Sequence, residues 1–255
     1  MTTRQYLGSG WDSDAWLVDG EWVERTARRP DVEPWLRTET TLLPWLAPQL
    51  PLEVPRPVVG KESPLTVRHR LVPGRPAGPD DGPGLGTAVG EFLVALHAVD
   101  LAAAVRRGLP SPERTSALRD AHVDRFESEV VPRLPPTTGN WLGERLAVIR
   151  DAPASVLVHG DLSADHVLID DGRVSGVIDW GDARAGDPAK DLVWPLLQAG
   201  PRVAREVTAA YGVTGELAAR ARTWLDVGPC YAVVHGDDVG DHGLVAEALS
   251  WFPVI

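Results

Sequence analysis

Cysteine and long apolar stretches are both scarce in this chain of 255 residues. The one cysteine, Cys230, cannot form an internal disulfide, which favours a reducing compartment. No apolar run approaches the roughly 20 residues of a membrane-spanning helix, and the first residues lack the apolar core of a secretory signal. These absences predict a cytoplasmic protein with no membrane partner.

Positive charge is limited as well. The chain has 25 Lys and Arg against 36 Asp and Glu, which gives a net charge of −11. An acidic chain of this kind is a poor binder of phosphate backbones, so nucleic acid is not expected as a partner. Of the two basic residue types, lysine is the rarer, with only Lys61 and Lys190 in the whole sequence. Arginine must therefore fill most roles that need a fixed positive charge.

The first third of the chain has the pattern of strands around one helix. Residues 15–18 read as a strand, and Asp19-Gly20 is a hairpin signal before a second strand near residues 21–23. Apolar residues recur at helical spacing behind Pro34, and residues 65–72 alternate like another strand. The predicted order is strand, strand, helix, strand.

A segment rich in proline and glycine follows, and helical patterns dominate beyond it. We therefore predict two units, residues 1–73 and residues 74–255, with the linker at the start of the second. Two β-rich runs joined by Asp171-Gly172 interrupt the second unit at residues 155–180. The predicted helices cover residues 88–99, 117–131, 141–150, 189–197, 203–211 and 216–234.

The β-rich interruption carries three side chains suited to phosphoryl transfer. Asp161 follows a predicted strand, His166 comes five positions later, and the returning hairpin brings Asp179 to the same end. One carboxylate can orient and deprotonate an acceptor hydroxyl, while the second carboxylate and its neighbour hold a magnesium ion that bridges nucleotide phosphates.

The same residues resemble a known signature. HGDL, the polar residue five positions after the aspartate, IDW and GDPAKDL are similar to the motifs of the aminoglycoside phosphotransferase family, in particular its aminoglycoside 2''- and macrolide phosphotransferase branch. The resemblance implies an α+β, two-lobed, protein-kinase-like fold, with a small and mainly antiparallel β lobe containing one helix and a larger, mainly helical lobe. It makes residues 1–73 the nucleotide-binding lobe and residues 74–255 the hinge or linker with the catalytic and acceptor-binding lobe. It makes Asp161 the catalytic base and assigns Mg²⁺ to His166 and Asp179.

The resemblance also implies where ATP or GTP would bind. The segment LGSGWDSDAW resembles the hairpin that covers the phosphates, and RLVPG resembles the hinge that contacts the base. Kinases hold the phosphates with a lysine paired to a helix glutamate, and here the strand offers an arginine instead. Arginine can grip phosphate in a bidentate manner. The implied nucleotide-binding residues are Gly8, Ser9, Gly10, Ser13, Arg25, Glu39, Leu71 and Val72.

Several other residues are interpreted as structural. His159 and His97 read as buried histidines rather than ligands, and a second His-Gly-Asp at residues 235–237 lacks the strand and hairpin of the first. Asp187 and Asp191 are expected to cap a helix and brace the catalytic loop.

The acceptor remains open between classes. The leading hypothesis is a kinase that inactivates an antibiotic by phosphorylating a hydroxyl; the alternatives are a nucleoside or macrolide antibiotic, a metabolic sugar or amino alcohol, or a degenerate nucleotide-binding module without activity. Carboxylates near the carboxyl terminus, among them Asp237 and Asp238, predict a cationic acceptor such as an aminoglycoside, against the alternative of a solvated acidic face. We expect a small-molecule acceptor and a monomer or weak dimer.

Overall fold

The amino-terminal part of the chain forms an antiparallel sheet backed by one helix. The computed structural model describes residues 2–9, 13–78 and 81–255. The sheet has five strands in the order β1-β2-β3-β5-β4. The elements are β1 (Arg4–Ser9), β2 (Ser13–Val18), β3 (Trp22–Ala27), α1 (Glu33–Leu46), β4 (Val58–Glu62) and β5 (Leu65–Arg70).

Local chemistry explains how these elements meet. Asp19 and Gly20 have φ values of 52° and 70°, which the tight hairpin between β2 and β3 requires. Pro34 lies in the first turn of α1, where its missing amide costs nothing. The helix packs Leu36 against Leu65 and Val67 of β5, and all three side chains are buried. This contact holds α1 against the sheet.

The rest of the chain is mostly helical. A small hairpin and short strand pairs lie among the helices and carry the motif residues. The elements are β6 (Arg75–Pro76), α2 (Leu85–His97), α3 (Leu101–Val105), α4 (Pro112–Arg125), α5 (Pro136–Arg150), β7 (Val156–Val158), β8 (Val167–Asp170), β9 (Arg173–Val177), β10 (Arg184–Gly186), α6 (Pro188–Asp191), α7 (Val193–Leu197), α8 (Pro201–Tyr211), α9 (Gly215–Val239) and α10 (His242–Ser250).

The sheet-bearing part and the helical part join at strand β9. Glu53 accepts a hydrogen bond from the Val177 amide at 2.8 Å and donates its own amide to Ser175 at 3.1 Å. A Cβ on Gly176 would lie 2.5 Å from Val72 and 2.6 Å from the Glu53 carbonyl oxygen, so only glycine permits this approach. The hinge segment is thereby fixed against the hairpin that carries the motif residues.

The sequence predicted the α+β arrangement but not every element. Strand β4 was missed because all five of its residues are exposed, which leaves no apolar alternation to detect. The helix predicted over residues 189–197 is two helices, α6 and α7, which meet at Leu192. The helix predicted over residues 117–131 begins earlier, behind Ser111, whose hydroxyl accepts from the Arg114 amide. The boundary between residues 73 and 74 stays a prediction.

Over residues 2–9, 13–78 and 81–255, no helix combines the length and the apolar character that a bilayer crossing needs.

Candidate active site

His166 lies between two carboxylates at the ends of β7 and β9. Its Nδ1 is 2.6 Å from the Asp161 carbonyl oxygen and 3.7 Å from the Asp161 carboxylate. Its Nε2 is 3.6 Å from the carboxylate of Asp179. The three side chains that the motif spacing predicted to converge are therefore together.

The hydrogen bond to the backbone determines the tautomer of His166. A carbonyl oxygen can only accept, so Nδ1 of His166 carries the proton and donates it to Asp161. Nε2 then presents its lone pair on the side of Asp179 when the ring is neutral. That arrangement suits a metal ligand, because the hydrogen bond at one ring nitrogen orients the other.

The exchange of His166 for asparagine tests this role. Magnesium prefers oxygen ligands, so His166→Asn should retain magnesium-dependent activity, whereas His166→Ala should raise the magnesium concentration for half-maximal activity about 10- to 100-fold. Titrating magnesium into an assay of nucleotide turnover measures both. Equal and complete loss in the two variants would mean that His166 acts in some other way.

Asp179 has an unusual backbone conformation. Its φ of 62° places it in the left-handed region, which is uncommon outside glycine but tolerated by aspartate. The next residue, Trp180, is buried and donates its indole N–H to the Val177 carbonyl at 3.1 Å. This anchored tryptophan holds the turn, and the Asp179 side chain keeps 54% of its surface exposed. Such conformations persist where surrounding packing enforces them.

Asp161 lies at an accessible position on its loop, with 62% of its side-chain surface exposed. Desolvation, and after it the negative charge of Asp182, raise the pKa of the Asp161 carboxyl, while His166 opposes the rise. Gly160 before it has a φ of 86°, and a Cβ there would lie 2.4 Å from the Asp182 carbonyl oxygen. The glycine of the motif is thus required by conformation and by space.

The buried Asp191 carboxylate supports the loop that carries Asp161. Asp191 accepts hydrogen bonds from the amides of His159 and Gly160, both at 2.8 Å, and lies 3.1 Å from Nε2 of His97. Burial by itself would raise the pKa of Asp191, but the hydrogen bonds from His97 and from the Gly160 amide lower it below its usual value. Nδ1 of His97 lies 2.7 Å from the Tyr211 hydroxyl. The predicted bracing role of Asp191 is confirmed.

His159 is structural, as predicted. It is fully buried, its Nε2 lies 3.0 Å from the Ile178 carbonyl oxygen, and its Nδ1 accepts from the Asp161 amide at 3.3 Å. Because the Ile178 carbonyl only accepts, Nε2 carries the proton. Desolvation lowers the pKa of His159, which favours this neutral form. The ring therefore ties the turn at Asp161 to the strand end before Asp179.

His97 was correctly read as a core residue, but sequence reasoning missed its link to the catalytic loop. We expect His97→Leu to lower the free energy of unfolding by about 2–4 kcal/mol, because it leaves the buried Asp191 carboxylate with fewer donors. Urea denaturation measures the loss. The exposed His242→Leu is the matched control and should change stability by less than about 0.5 kcal/mol. Equal stability of the two variants would mean that the His97–Asp191 contact does not stabilise the fold.

Arg25 and Glu39 form the ion pair that the sequence predicted. Nη1 of Arg25 lies 2.7 Å from Oε2 of Glu39, with only 15% and 6% of the two side chains exposed. Nε of Arg25 donates to the Ser13 hydroxyl at 3.2 Å. The arginine is thus held between β2, β3 and α1.

The phosphate role of Arg25 stays a prediction with a direct test. Arg25→Ala should lower kcat/KM for the nucleotide by about 10- to 100-fold, since a hydrogen bond to a charged group contributes about 1.5–3 kcal/mol. Arg25→Lys should recover part of that loss. The exposed Arg56→Ala serves as control. Unchanged nucleotide affinity and turnover in Arg25→Ala would mean that another group binds the phosphates.

The remaining residues predicted to bind the nucleotide belong to the first hairpin and the hinge. Gly8 and Ser9 end β1 beside the start of β2, while Gly10 lies outside the described residues. At the hinge, the Leu71 amide already donates to the Glu21 carbonyl at 2.8 Å, so it is not free for a base. Val72 is buried against β9. Base recognition by the hinge stays a prediction that would have to use the other backbone groups.

The carboxylates predicted to attract a cationic acceptor have arginine partners. Asp237 lies 2.8 Å from Arg133, and Asp238 lies 2.9 Å from Arg125. Both aspartates are inside α9, together with His235, so the second His-Gly-Asp lies in a helix that runs past the end predicted for it at residue 234. The contribution of these two carboxylates to acceptor binding stays a prediction, and a cation would have to compete with the arginines.

The side chains of His166 and Asp179 fit magnesium in one specific way. Within the part of the chain that the structure describes, no three His, Cys, Asp or Glu side chains are arranged to hold a metal ion by themselves. Magnesium, however, is commonly bound by one or two protein ligands together with substrate phosphates and water. The exposed Asp179 carboxylate and the oriented Nε2 of His166 suit that mode.

Comparison with known proteins gives the family. Among curated proteins, the chain is 31% identical over 193 residues to the uncharacterized protein YcbJ of Bacillus subtilis (strain 168), which covers 68% of this chain and 61% of YcbJ. Its structure is similar to the GDP and kanamycin complex of APH(2")-IIia, with a TM-score of 0.86, 26% identity and coverage of 97% of this chain and 91% of that one.

A second solved structure supports the same assignment. Macrolide 2'-phosphotransferase MphH from Brachybacterium faecium is similar with a TM-score of 0.78 and 26% identity, over 99% of this chain and 93% of that one. The predicted two-lobed, protein-kinase-like fold is confirmed by these similarities. Residues 3–224 match the phosphotransferase enzyme family APH. The chain therefore belongs to the APH phosphotransferase family.

Proposed function

We propose that this protein is a kinase that transfers the γ-phosphate of ATP or GTP to a hydroxyl group of a small molecule. The observation that carries the proposal is the placement of His166 between the carboxylates of Asp161 and Asp179. One exposed carboxylate is then available for the acceptor, and the other is available for the metal and phosphates. Degenerate nucleotide binding is less favoured, because both carboxylates are present and accessible.

The chemical step follows from these positions. The acceptor hydroxyl donates a hydrogen bond to Asp161, which orients it and takes its proton as the oxygen attacks the γ-phosphorus. A new oxygen–phosphorus bond forms, the bond to the β-phosphate oxygen breaks, and the nucleoside diphosphate leaves with that electron pair. The raised pKa of Asp161 makes its carboxylate a better proton acceptor.

In this proposal the nucleotide would bind between the two predicted lobes, residues 1–73 and 74–255. Arg25 would contact the phosphates, and Asp179 with His166 would hold Mg²⁺. The ion supplies positive charge that neutralises the phosphates during transfer. GDP in the similar APH(2")-IIia complex makes GTP as good a candidate as ATP.

Antibiotics are the first acceptors to test, because kanamycin is present in that complex and MphH is a macrolide phosphotransferase. A kinase that phosphorylates an antibiotic hydroxyl would inactivate the drug. A metabolic acceptor is the second candidate, and it is favoured by the arginine partners of Asp237 and Asp238, which oppose recruitment of a polyamine.

An assay of nucleoside diphosphate release decides the proposed function. The protein is incubated with ATP or GTP, magnesium and aminoglycosides, macrolides, nucleosides, sugars or hydroxy acids, and phosphorus NMR identifies any phosphate ester. We expect acceptor-stimulated release with at least one class and an ester in the product. The absence of any stimulated release, with nucleotide binding intact, would favour the binding module instead.

A further inference from the structure

A small cavity lies among α4, β10, α6 and α9, beside the catalytic loop. Its volume is about 30 Å³, which holds about two water molecules or the end of a ligand but not a sugar ring. The side chains in its wall that matter here are Thr115, Arg119, His122, Arg184, Lys190 and Tyr231. None of them was among the residues that the sequence motifs suggested as functional.

Backbone packing places this cavity next to Asp161. The Asp182 carbonyl oxygen lies against Gly160, at 2.4 Å from where a Cβ would be. The same carbonyl accepts a hydrogen bond from Nε of Arg184 at 2.7 Å, and Arg184 lines the cavity. Arg184 keeps 24% of its side chain exposed, so this wall reaches the surface. Lys190 in the cavity wall is close enough to Asp161 for the charge of each group to act on the pKa of the other, so a ligand whose end enters the cavity can reach Asp161.

One positive charge in the cavity wall is the Lys190 ammonium group, which has no ion-pair partner in the part of the chain that the structure describes. Lys190 makes no side-chain hydrogen bond or ion pair with any residue in the described ranges. Its Nζ lies 5.4 Å and 5.6 Å from the ring centroids of Trp224 and Tyr231. Burial, and after it the charge of Arg184, lower the pKa of Lys190 to about 8, while Asp182, Asp161 and Asp191 oppose the shift. The group is still largely charged at neutral pH.

Other donors around the cavity also lack partners among the described residues. The Thr115 side chain is buried, with 8% relative exposure for the residue, and its hydroxyl has no hydrogen-bond partner there. Nε of Arg119 is likewise buried without one. Buried polar groups are normally paired, so unpaired groups on two residues that line one cavity indicate a missing ligand or water. His122 adds a neutral ring, since desolvation followed by the charges of Arg184 and Lys190 lowers its pKa.

The one carboxylate in the wall does not neutralise this charge. Asp187 caps α6 through the Ala189 amide and is fully buried. It accepts from Nε of Arg220 at 3.1 Å and from the Trp224 indole at 2.9 Å. Asp187 is therefore already paired with Arg220, which also contacts the exposed Glu216, and it makes no ion pair with Lys190.

We propose that this cavity binds an anionic group, a carboxylate or a phosphate, of the acceptor, with Lys190 as its counter-ion and the Thr115 hydroxyl as a hydrogen-bond donor. The inference rests on the proposed kinase function and narrows its substrate class to hydroxylated anions. The acceptor hydroxyl then lies at Asp161 while the anionic end enters the cavity. Burial of the anion beside an unpaired ammonium favours it over a neutral or cationic group.

The two lysines of the chain allow a direct binding test without nucleotide. Protein labelled with ¹³C at the lysine Cε gives two side-chain signals, and the exposed Lys61 is the internal control. Sodium acetate and inorganic phosphate are titrated separately, with sodium chloride at matched ionic strength. We expect acetate, phosphate or both to shift the Lys190 signal saturably and raise its pKa by about one unit, with Lys61 unchanged. If neither anion moves Lys190 beyond chloride, the proposal is wrong.

A kinetic comparison tests whether the cavity binds the acceptor and whether it prefers a carboxylate or a phosphate. Matched pairs are compared for stimulated nucleotide turnover: glycerate with glyceramide, homoserine with its amide, and glycerol phosphate with glycerol. We expect the anionic member to have at least a tenfold higher kcat/KM, with the carboxylate and phosphate pairs showing which anion fits. Preference for the neutral members, or for aminoglycosides, would overturn the proposal while the kinase assignment stands. Anion binding without turnover of any acceptor would instead contradict the kinase function alone.

Two variants assign the effect to the cavity. Lys190→Met should abolish the anion preference, and Thr115→Val, which removes only the hydroxyl, should weaken anion binding several-fold. Lys61→Met is the matched control and should behave as the parent protein. Lys190→Met should also have a higher Tm at pH 7, and that gain should shrink between pH 8 and 10.5 as Lys190 loses its proton in the parent. Unaltered anion preference in both cavity variants would contradict the proposed site.

Discussion

Replacing Asp161 by asparagine should lower kcat by about 10²- to 10⁴-fold, the usual contribution of a general base. Asparagine keeps the shape of the side chain but cannot accept the proton of the acceptor hydroxyl. Nucleotide affinity should remain within about twofold, because Asp161 is expected to act on the acceptor rather than on the nucleotide. Steady-state kinetics and binding of a fluorescent nucleotide measure the two quantities separately.

The control for this substitution lies in the same loop. Asp165 is exposed and makes no side-chain hydrogen bond within the described residues, so Asp165→Asn removes the same charge from nearly the same place. It should retain most of the activity. Full activity of Asp161→Asn would mean that Asp161 is not the catalytic base. An equal loss of activity in both variants would mean that the effect comes from the loss of a local negative charge and not from proton transfer.

Replacing Asp179 by asparagine should have a different result, the loss of magnesium-dependent nucleotide binding together with turnover. The exposed Asp179 carboxylate is the oxygen donor that we expect to hold the ion against the phosphates. Asparagine tolerates the left-handed conformation of this position, so the fold should be retained. Calorimetric titration with nucleotide, with and without magnesium, measures the expected loss, which should reach about 10³-fold in turnover.

The pair of variants separates binding from chemistry. Asp170→Asn, an exposed residue at the end of β8, provides the charge-matched control for Asp179. Magnesium-dependent binding that survives in Asp179→Asn would place the ion elsewhere. If Asp161→Asn and Asp179→Asn both lost nucleotide binding, the division of roles between the two carboxylates would be wrong.

Local sequence signals were sufficient for the motif loop and much of the amino-terminal part. The spacing of Asp161, His166 and Asp179 is determined by a short loop and a hairpin, so their convergence follows from local geometry. The hairpin at Asp19-Gly20 was equally readable, because it needs positive φ values that these residues tolerate. Strand β4 was not readable, since its exposed residues carry no apolar alternation.

Tertiary structure alone decided which distant residues support and surround that loop. His97 braces Asp191 across 94 residues of sequence, and Lys190 and Thr115 come to line one cavity through the packing of α6 against α9 and of α4 against β10. No periodicity encodes such contacts, because they depend on how buried faces of different helices fit together. The sequence by itself therefore determined the phosphotransferase motif, while packing of the helical part determined the charge and shape of the cavity beside it.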